Sequence, residues 1–146
     1  MFKHILLATD GSAASEHAAQ IAVDMARAHG ARLTALYVVD PYPYLGIGES
    51  NPLGFQSYMA AAHKHAAQAH EKVAALCSQG GAPVVLQARI SEDLTASEGV
   101  VQMARDEGAD LIVMGSHGRT GLARLMVGSV AAKVLATSPV PVLIAR

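Results

Sequence analysis

Five short apolar runs alternate along this chain with stretches of helical period, and that alternation limits the fold more than any other feature. The runs are His4–Thr9, Arg32–Val39, Pro83–Arg89, Asp110–Gly115 and Val140–Ala145. Most are continuous in Val, Ile and Leu rather than broken by polar residues, the pattern of strands covered by helices on both faces. Strands that alternate with helices join through right-handed crossovers into a parallel sheet. The first predicted helix, Ser12–His29, places Ala14, Ala18, Ile21, Ala22 and Met25 on one face and has Gly30 as its C-cap. The second, Ser57–Ser78, aligns Met59, Ala62, Ala66, Val73 and Leu76 and ends at Gly80 and Gly81. Thr95 and Glu98 have capping-box spacing for a third helix that ends near Gly108, although Gly99 is an unfavourable residue so early in it. A fourth runs from Ser129 to Thr137, ahead of Pro139. The expected fold is a doubly wound α/β domain, a five-stranded parallel sheet with helices on both faces.

With 146 residues, half of them hydrophobic, the chain suits one domain with a substantial core, taken as residues 1–146. Its formal net charge of -1 offers nothing to attract nucleic acid or an anionic membrane. Cys77 is the only cysteine, so no internal disulfide forms, which favours a reducing compartment. The apolar run after Met1 is short and stops at Asp10, so it reads as a strand and as neither a signal peptide nor a membrane span. A cytoplasmic location is expected. The segment Asp40–Gln56 holds Pro41, Pro43 and Pro52 with Gly46, Gly48 and Gly54, a long loop of the kind that serves function or moves.

The most informative stretch follows the fourth strand: Gly115-Ser-His-Gly118-Arg-Thr-Gly121-Leu-Ala-Arg-Leu-Met-Val-Gly128-Ser129. Glycine permits positive φ and close approach of backbone to a ligand. Successive N–H groups in such a turn make an anion nest, and the N-terminus of the following helix adds free N–H groups and a favourable dipole. Ser129 can offer its hydroxyl to a phosphate or cap its own helix. The spacing fits neither a Walker A loop nor a G-x-G-x-x-G dinucleotide turn. Read as physics alone, the stretch is a phosphate site or a tight strand-to-helix turn that needs glycine for its geometry.

Gly115-x2-Gly118-x9-Gly128-Ser129 resembles the nucleotide-binding signature of the ATP-binding universal stress proteins. Ile5-Leu-Leu-Ala-Thr-Asp10-Gly-Ser12 is similar to that family's first strand and turn, the text around Asp110–Leu122 to its fourth, and Ser138-Pro-Val-Pro-Val-Leu-Ile144 to its closing strand. The resemblance covers nearly the whole chain. It implies a Rossmann-like sheet of order 3-2-1-4-5, with ATP at the switch point between strands 1 and 4 and Mg²⁺ accompanying the phosphates. Asp10 then contacts the nucleoside, or else caps the first helix. Ala8, Thr9 and Val38 line the adenine and ribose pocket, and Met114 packs near the base or in the ordinary core. Gly115, Gly118, Gly128, Ser129 and Val130 wrap ribose and phosphates with backbone. Arg119 and Arg124 are the loop's cations, free to screen phosphate or simply to be solvated. After strand 3 the chain departs from the family pattern, reading Ile90-Ser-Glu-Asp-Leu-Thr95 where many relatives carry a glycine.

Other constellations read as structure. His63, His65 and His70 lie on the second helix without chelating spacing. His117 can touch phosphate or carry a proton, or be a surface loop residue. Cys77 reads as a small buried hydrophobe, and Tyr37, Tyr42 and Tyr44 as loop packing or as the edge of an adenine pocket. A triad of Ser116, His117 and Asp10 lacks an orienting partner. The functional expectation is an ATP-binding stress-response or signalling module; a slow ATPase or nucleotide-transferring enzyme is the alternative, without a Walker lysine in its favour. With strand 5 at a sheet edge, Val140, Val142, Leu143 and Ile144 invite pairing with a second copy, and the family resemblance points to the same homodimer.

Overall fold

A computed structural model of the chain describes residues 1–40, 52–117 and 127–146. Five strands, β1 (His4–Ala8), β2 (Arg32–Val38), β3 (Leu86–Ser91), β4 (Leu111–Gly115) and β5 (Val142–Ala145), form one sheet in the order β3-β2-β1-β4-β5. Every neighbouring pair is parallel. Four helices connect them: α1 (Ala13–His29), α2 (Pro52–Ser78), α3 (Ala96–Glu107) and α4 (Ser129–Thr137). Among the described residues no helix is long and apolar enough to cross a membrane.

The continuous apolar strands bury residues of opposite parity on the two faces of the sheet, with a smaller cluster of Tyr37 and Val39 under Ala62, Ala66 and Ala69 of α2. Ile5, Leu7, Leu33, Ala35, Leu111 and Val113 pack under α1 and the C-terminal half of α2. Leu6, Leu36, Ile112 and Met114 pack under α3 and α4. Helices therefore cover both faces, as the sequence pattern implies, and Ile5, Leu6 and Leu7 of the central strand lose all exposure.

Local signals placed most element ends. Ser12 caps α1 by accepting the Ser15 N–H at 3.3 Å, and Gly30 closes the helix at φ 63°, a left-handed conformation that favours glycine. Asp10 is therefore not the α1 cap; its Oδ1 accepts the Ser12 N–H at 2.9 Å, shaping the turn one step earlier. Thr95 stands at the α3 N-cap but makes no side-chain capping bond. Three elements differ from expectation by more than one residue. β3 lies later, at Leu86–Ser91, because the Val84 N–H turns back to the Cys77 carbonyl (3.2 Å) while Ser91 still accepts from Val39 (2.7 Å). α2 starts at Pro52 instead of Ser57, since proline suits a first turn whose N–H groups need no intrahelical partner. β5 loses its first residues to Pro141, which accepts from Ile112 at 3.0 Å but has no N–H to donate.

At the N-terminal ends of the strands sits a buried polar knot that periodicity does not reveal. His4, 3% exposed, holds its Nδ1 3.0 Å from the Glu107 carbonyl and its Nε2 2.7 Å from Thr34 Oγ1. A carbonyl only accepts, so Nδ1 carries the proton and the Thr34 hydroxyl donates to Nε2. Asp110 accepts the backbone N–H groups of Lys3 and His4 at 2.9 and 3.1 Å. Burial, and then the Arg32 guanidinium, lower the His4 pKa, while Glu107 and Asp110 oppose them.

A histidine whose folded pKa lies below its unfolded one stabilises fully above about pH 6.5 and loses that contribution as pH falls through the folded value. Urea midpoints between pH 7 and pH 5 should therefore fall more for the wild type than for His4→Gln. The remaining histidines are common to both proteins, so equal slopes would contradict the account.

Candidate functional site

A parallel sheet whose chain winds to both sides of β1 opens a crevice at the C-terminal ends of β1 and β4, because the connections leave on opposite faces. A cavity of about 350 Å³ occupies this position. That volume lies at the lower end of the roughly 300–1,000 Å³ usual for small-ligand sites. Ala8, Thr9, Asp10, Val38, Met114, Gly115, His117, Gly128, Ser129 and Val130 all line it, so the structure brings together every predicted site residue that it describes. Gly118 and Arg119, also predicted, lie outside the described residues, as do Arg124, Tyr42 and Tyr44.

Each wall has a local cause. Thr9 continues the ladder past β1, its N–H donating to Leu36 at 2.9 Å, and its hydroxyl donates to buried Ser15 Oγ at 3.3 Å. Leu36, Val38, Val100 and Met114 supply apolar wall, and Met114 serves the core and the cavity together. Tyr58 of α2 donates its hydroxyl to the Asp40 carbonyl at 2.7 Å, tying the start of α2 to the rim beyond β2. Burial, then Asp40, then Tyr37 raise the Tyr58 pKa.

Gly115 and Gly128 allow close approach of protein rather than a left-handed backbone. Neither Gly115 nor Gly128 has a positive φ. A Cβ on Gly115 would stand 3.2 Å from the Ala14 carbonyl oxygen, so glycine here lets the first turn of α1 close on β4. A Cβ on Gly128 would stand 2.7 Å from the Ser116 carbonyl oxygen, the same atom that accepts the Gly128 N–H at 2.7 Å. Ser116 in turn donates to Ala145 at 2.9 Å, so the contact fixes Gly128 to the sheet end. Gly128 is also the N-cap of α4 and supplies no side-chain cap, and Ser129 is the first residue of the helix, not its cap. The first N–H groups of α4 thus open at the cavity without intrahelical partners.

The apolar slot and the helix N-terminus can take a ligand with a flat apolar part and an anionic part. Among the described lining residues the charged side chains are the carboxylates Asp10 and Asp40, with no Lys or Arg. Among the described residues no group of three or more His, Cys, Asp and Glu is placed to hold a metal. His63 Nε2 lies 2.6 Å from Glu92 Oε1, and burial lowers the His70 pKa. Cys77 is buried, which raises its thiol pKa.

A second hollow, about 390 Å³, lies near Arg27, Arg32 and Pro83–Val85. Its larger volume does not make it the better site. The Arg27 guanidinium already donates to the carbonyls of Gln79 (2.6 Å), Ala82 (2.8 Å) and Leu76 (3.2 Å), closing the end of α2.

Several lining residues were not found from sequence. Tyr37 is a buried residue of β2 that lines the cavity and is not loop packing, Ser15 lies three positions after the α1 N-cap, and Ala96, Val100 and Ala131 become lining only through how α3 and α4 seat on the sheet.

Comparison with known proteins agrees with this fold. The universal stress protein family matches residues 1–146. A universal stress protein of Thermus aquaticus is 39% identical over 152 aligned positions, covering all of both chains. UspA of Lactobacillus plantarum superposes with a TM-score of 0.76 at 31% identity, over 99% of this chain and 98% of that one. The universal stress protein of Archaeoglobus fulgidus, solved in complex with dAMP, has the same fold, with a TM-score of 0.68 at 16% identity over all of this chain and 98% of that one.

The Gly128–Ser116 contact yields a test that needs no ligand. Gly128→Ala should lower stability in urea by about 1–3 kcal/mol through overpacking against the Ser116 carbonyl. Gly115→Ala, whose nearest contact is looser, should cost less. A Gly128→Ala protein as stable as wild type would contradict this packing role.

Proposed function

Because this chain belongs to the universal stress protein family, we propose that it binds ATP in the crevice between β1 and β4 and works as a nucleotide-responsive stress or signalling module in the cytoplasm. The observation that carries the reading is the α4 N-terminus, held by the Gly128–Ser116 contact and open to an apolar slot. In this reading the base enters between Val38 and Val100, and Asp10 accepts hydrogen bonds from the ribose hydroxyls. The phosphates meet the N–H groups at Ser129 and Val130, and the Ser129 hydroxyl donates to one of them. Mg²⁺ would be held by the phosphate oxygens and water and would offset their charge, which the described lining, with carboxylates and no cation, does not. The dAMP carried by the Archaeoglobus fulgidus protein supports an adenine nucleotide in this fold.

Protein purified without added nucleotide should release an adenine nucleotide to mass spectrometry, and stripped protein should bind MgATP in calorimetry. Asp10→Asn keeps an oxygen for the Ser12 N–H but removes the charge, and should weaken ATP about tenfold, the worth of a hydrogen bond to a charged group. Absence of binding at millimolar MgATP would overturn the reading.

Pairing of two copies through β5 belongs to the same proposal. Pro141 and Ala145 turn their carbonyls toward β4, so the backbone groups of Val142 and Ile144 face away from it, at the sheet edge. Two such edges related by a two-fold axis pair antiparallel, and the half-buried Val140 and the exposed Leu135 add apolar surface. Light scattering should report twice the chain mass at micromolar concentration. Ile144→Pro, which removes an outward N–H, should shift the protein toward monomer. Leu143 packs into the α1 core, so Leu143→Lys tests folding as well as pairing. A wild-type monomer at high concentration would overturn this interface.

A further inference from the structure

Gly99 lies in the first turn of α3, buried, its N–H donating to the Thr95 carbonyl at 2.8 Å. Glycine disfavours a helix interior relative to alanine, and this one has no positive φ to explain it. Space explains it. A Cβ at position 99 would lie 3.1 Å from Ser91 Oγ, and 3.1 and 3.3 Å from the two methyl carbons of Val38. The start of α3 therefore rests directly on the C-terminal ends of β2 and β3. The Ser91 hydroxyl can rotate aside, but Val38 is β-branched and has a stiff χ1, so Val38 decides what a methyl there would do. Val38 also lines the candidate site, and so do Ala96 and Val100, which bracket Gly99 on α3.

We propose that Gly99 is a positioning residue that sets the width of the nucleoside end of the crevice. Its missing side chain seats α3 so that Val38 and Val100 form a slot for a flat heteroaromatic ring. The inference rests on the reading that this cavity takes an adenine nucleotide. A methyl at position 99 moves either the Val38 side chain into the slot or α3 away from the sheet. Stacking on a ring depends on separations near 3.5–4.0 Å, and a gap of about 0.5–1 Å forfeits a quarter to a half of the attraction. Both displacements fall at the base end of the ligand, whereas the phosphate seat on α4 is tied to the sheet end by the Gly128–Ser116 hydrogen bond.

Calorimetry with AMP and MgATP on stripped wild type, Gly99→Ala, Val38→Ala and the double variant tests this. Gly99→Ala should weaken both ligands by the same factor, about tenfold on the scale of a small overpacking, with a melting temperature close to wild type because the helix preference of alanine offsets the overpacking. In the Val38→Ala background the methyl finds room, so adding Gly99→Ala should change affinity less than about twofold, a coupling that an independent structural defect does not produce. The comparison within that background also serves if Gly99→Ala alone fails to fold. Unchanged affinity in Gly99→Ala, a loss confined to ATP, or an equal loss in both backgrounds overturns the inference. A wild type that binds neither ligand overturns the proposed function, and this inference with it, whereas a wild type that binds but ignores Gly99→Ala overturns this inference alone.

Discussion

β1 is hydrogen-bonded along both edges, to β2 and to β4, and covered on both faces. The rest of the molecule follows from how the chain leaves that strand. Right-handed crossovers carry it through α1 to β2 and through α2 to β3 on one face. The return to β4 through α3, and on to β5 through α4, takes the opposite face. The first turns of α1 and α4 are thus on different sides of the sheet at the point where β1 and β4 end, and among the described residues no helix crosses the gap. The crevice is a consequence of topology, and the residues that line it are those at which these strands and helices stop or start.

Close backbone approach gives the crevice its shape. At Gly115 the sheet meets the first turn of α1, at Gly128 the N-cap of α4 meets the Ser116 carbonyl, and at Gly99 α3 meets Val38. In each case the absent side chain makes room for protein, so a glycine motif that looks like a ligand cradle is first a packing device. The two roles are compatible. The contact that forbids a Cβ at Gly128 is what points the α4 N–H groups into the cavity. Such groups bind anions without any lysine, because their partial charges and orientation are fixed before the ligand arrives.

Much of this was legible in the sequence because the strands are continuous apolar runs and the helix ends carry strong local signals at Ser12, Gly30 and Gly108. The strand order came from the family resemblance rather than from periodicity, which does not distinguish one arrangement of parallel strands from another. What was misread depends on hydrogen bonds between distant segments. Pro83-Val-Val85 has strand composition, yet Val84 donates to the end of α2. Gly99 looked like a weakness of α3 and is the residue that lets the helix seat. His4 fell inside an apolar run, and its partners Thr34 and Glu107 are 30 and 103 residues away, so no window along the chain connects them.

The central claim is that the C-terminal ends of β1 and β4, with the start of α4, form an adenine-nucleotide site. Backbone amide shifts followed by NMR during a titration with MgATP test it most directly. The account predicts that the largest changes fall on Thr9, Asp10, Val38, Gly128, Ser129 and Val130, while the amides around Arg27 and Val84 stay in place. Changes centred on the Arg27 hollow, or none at saturating nucleotide, would contradict it.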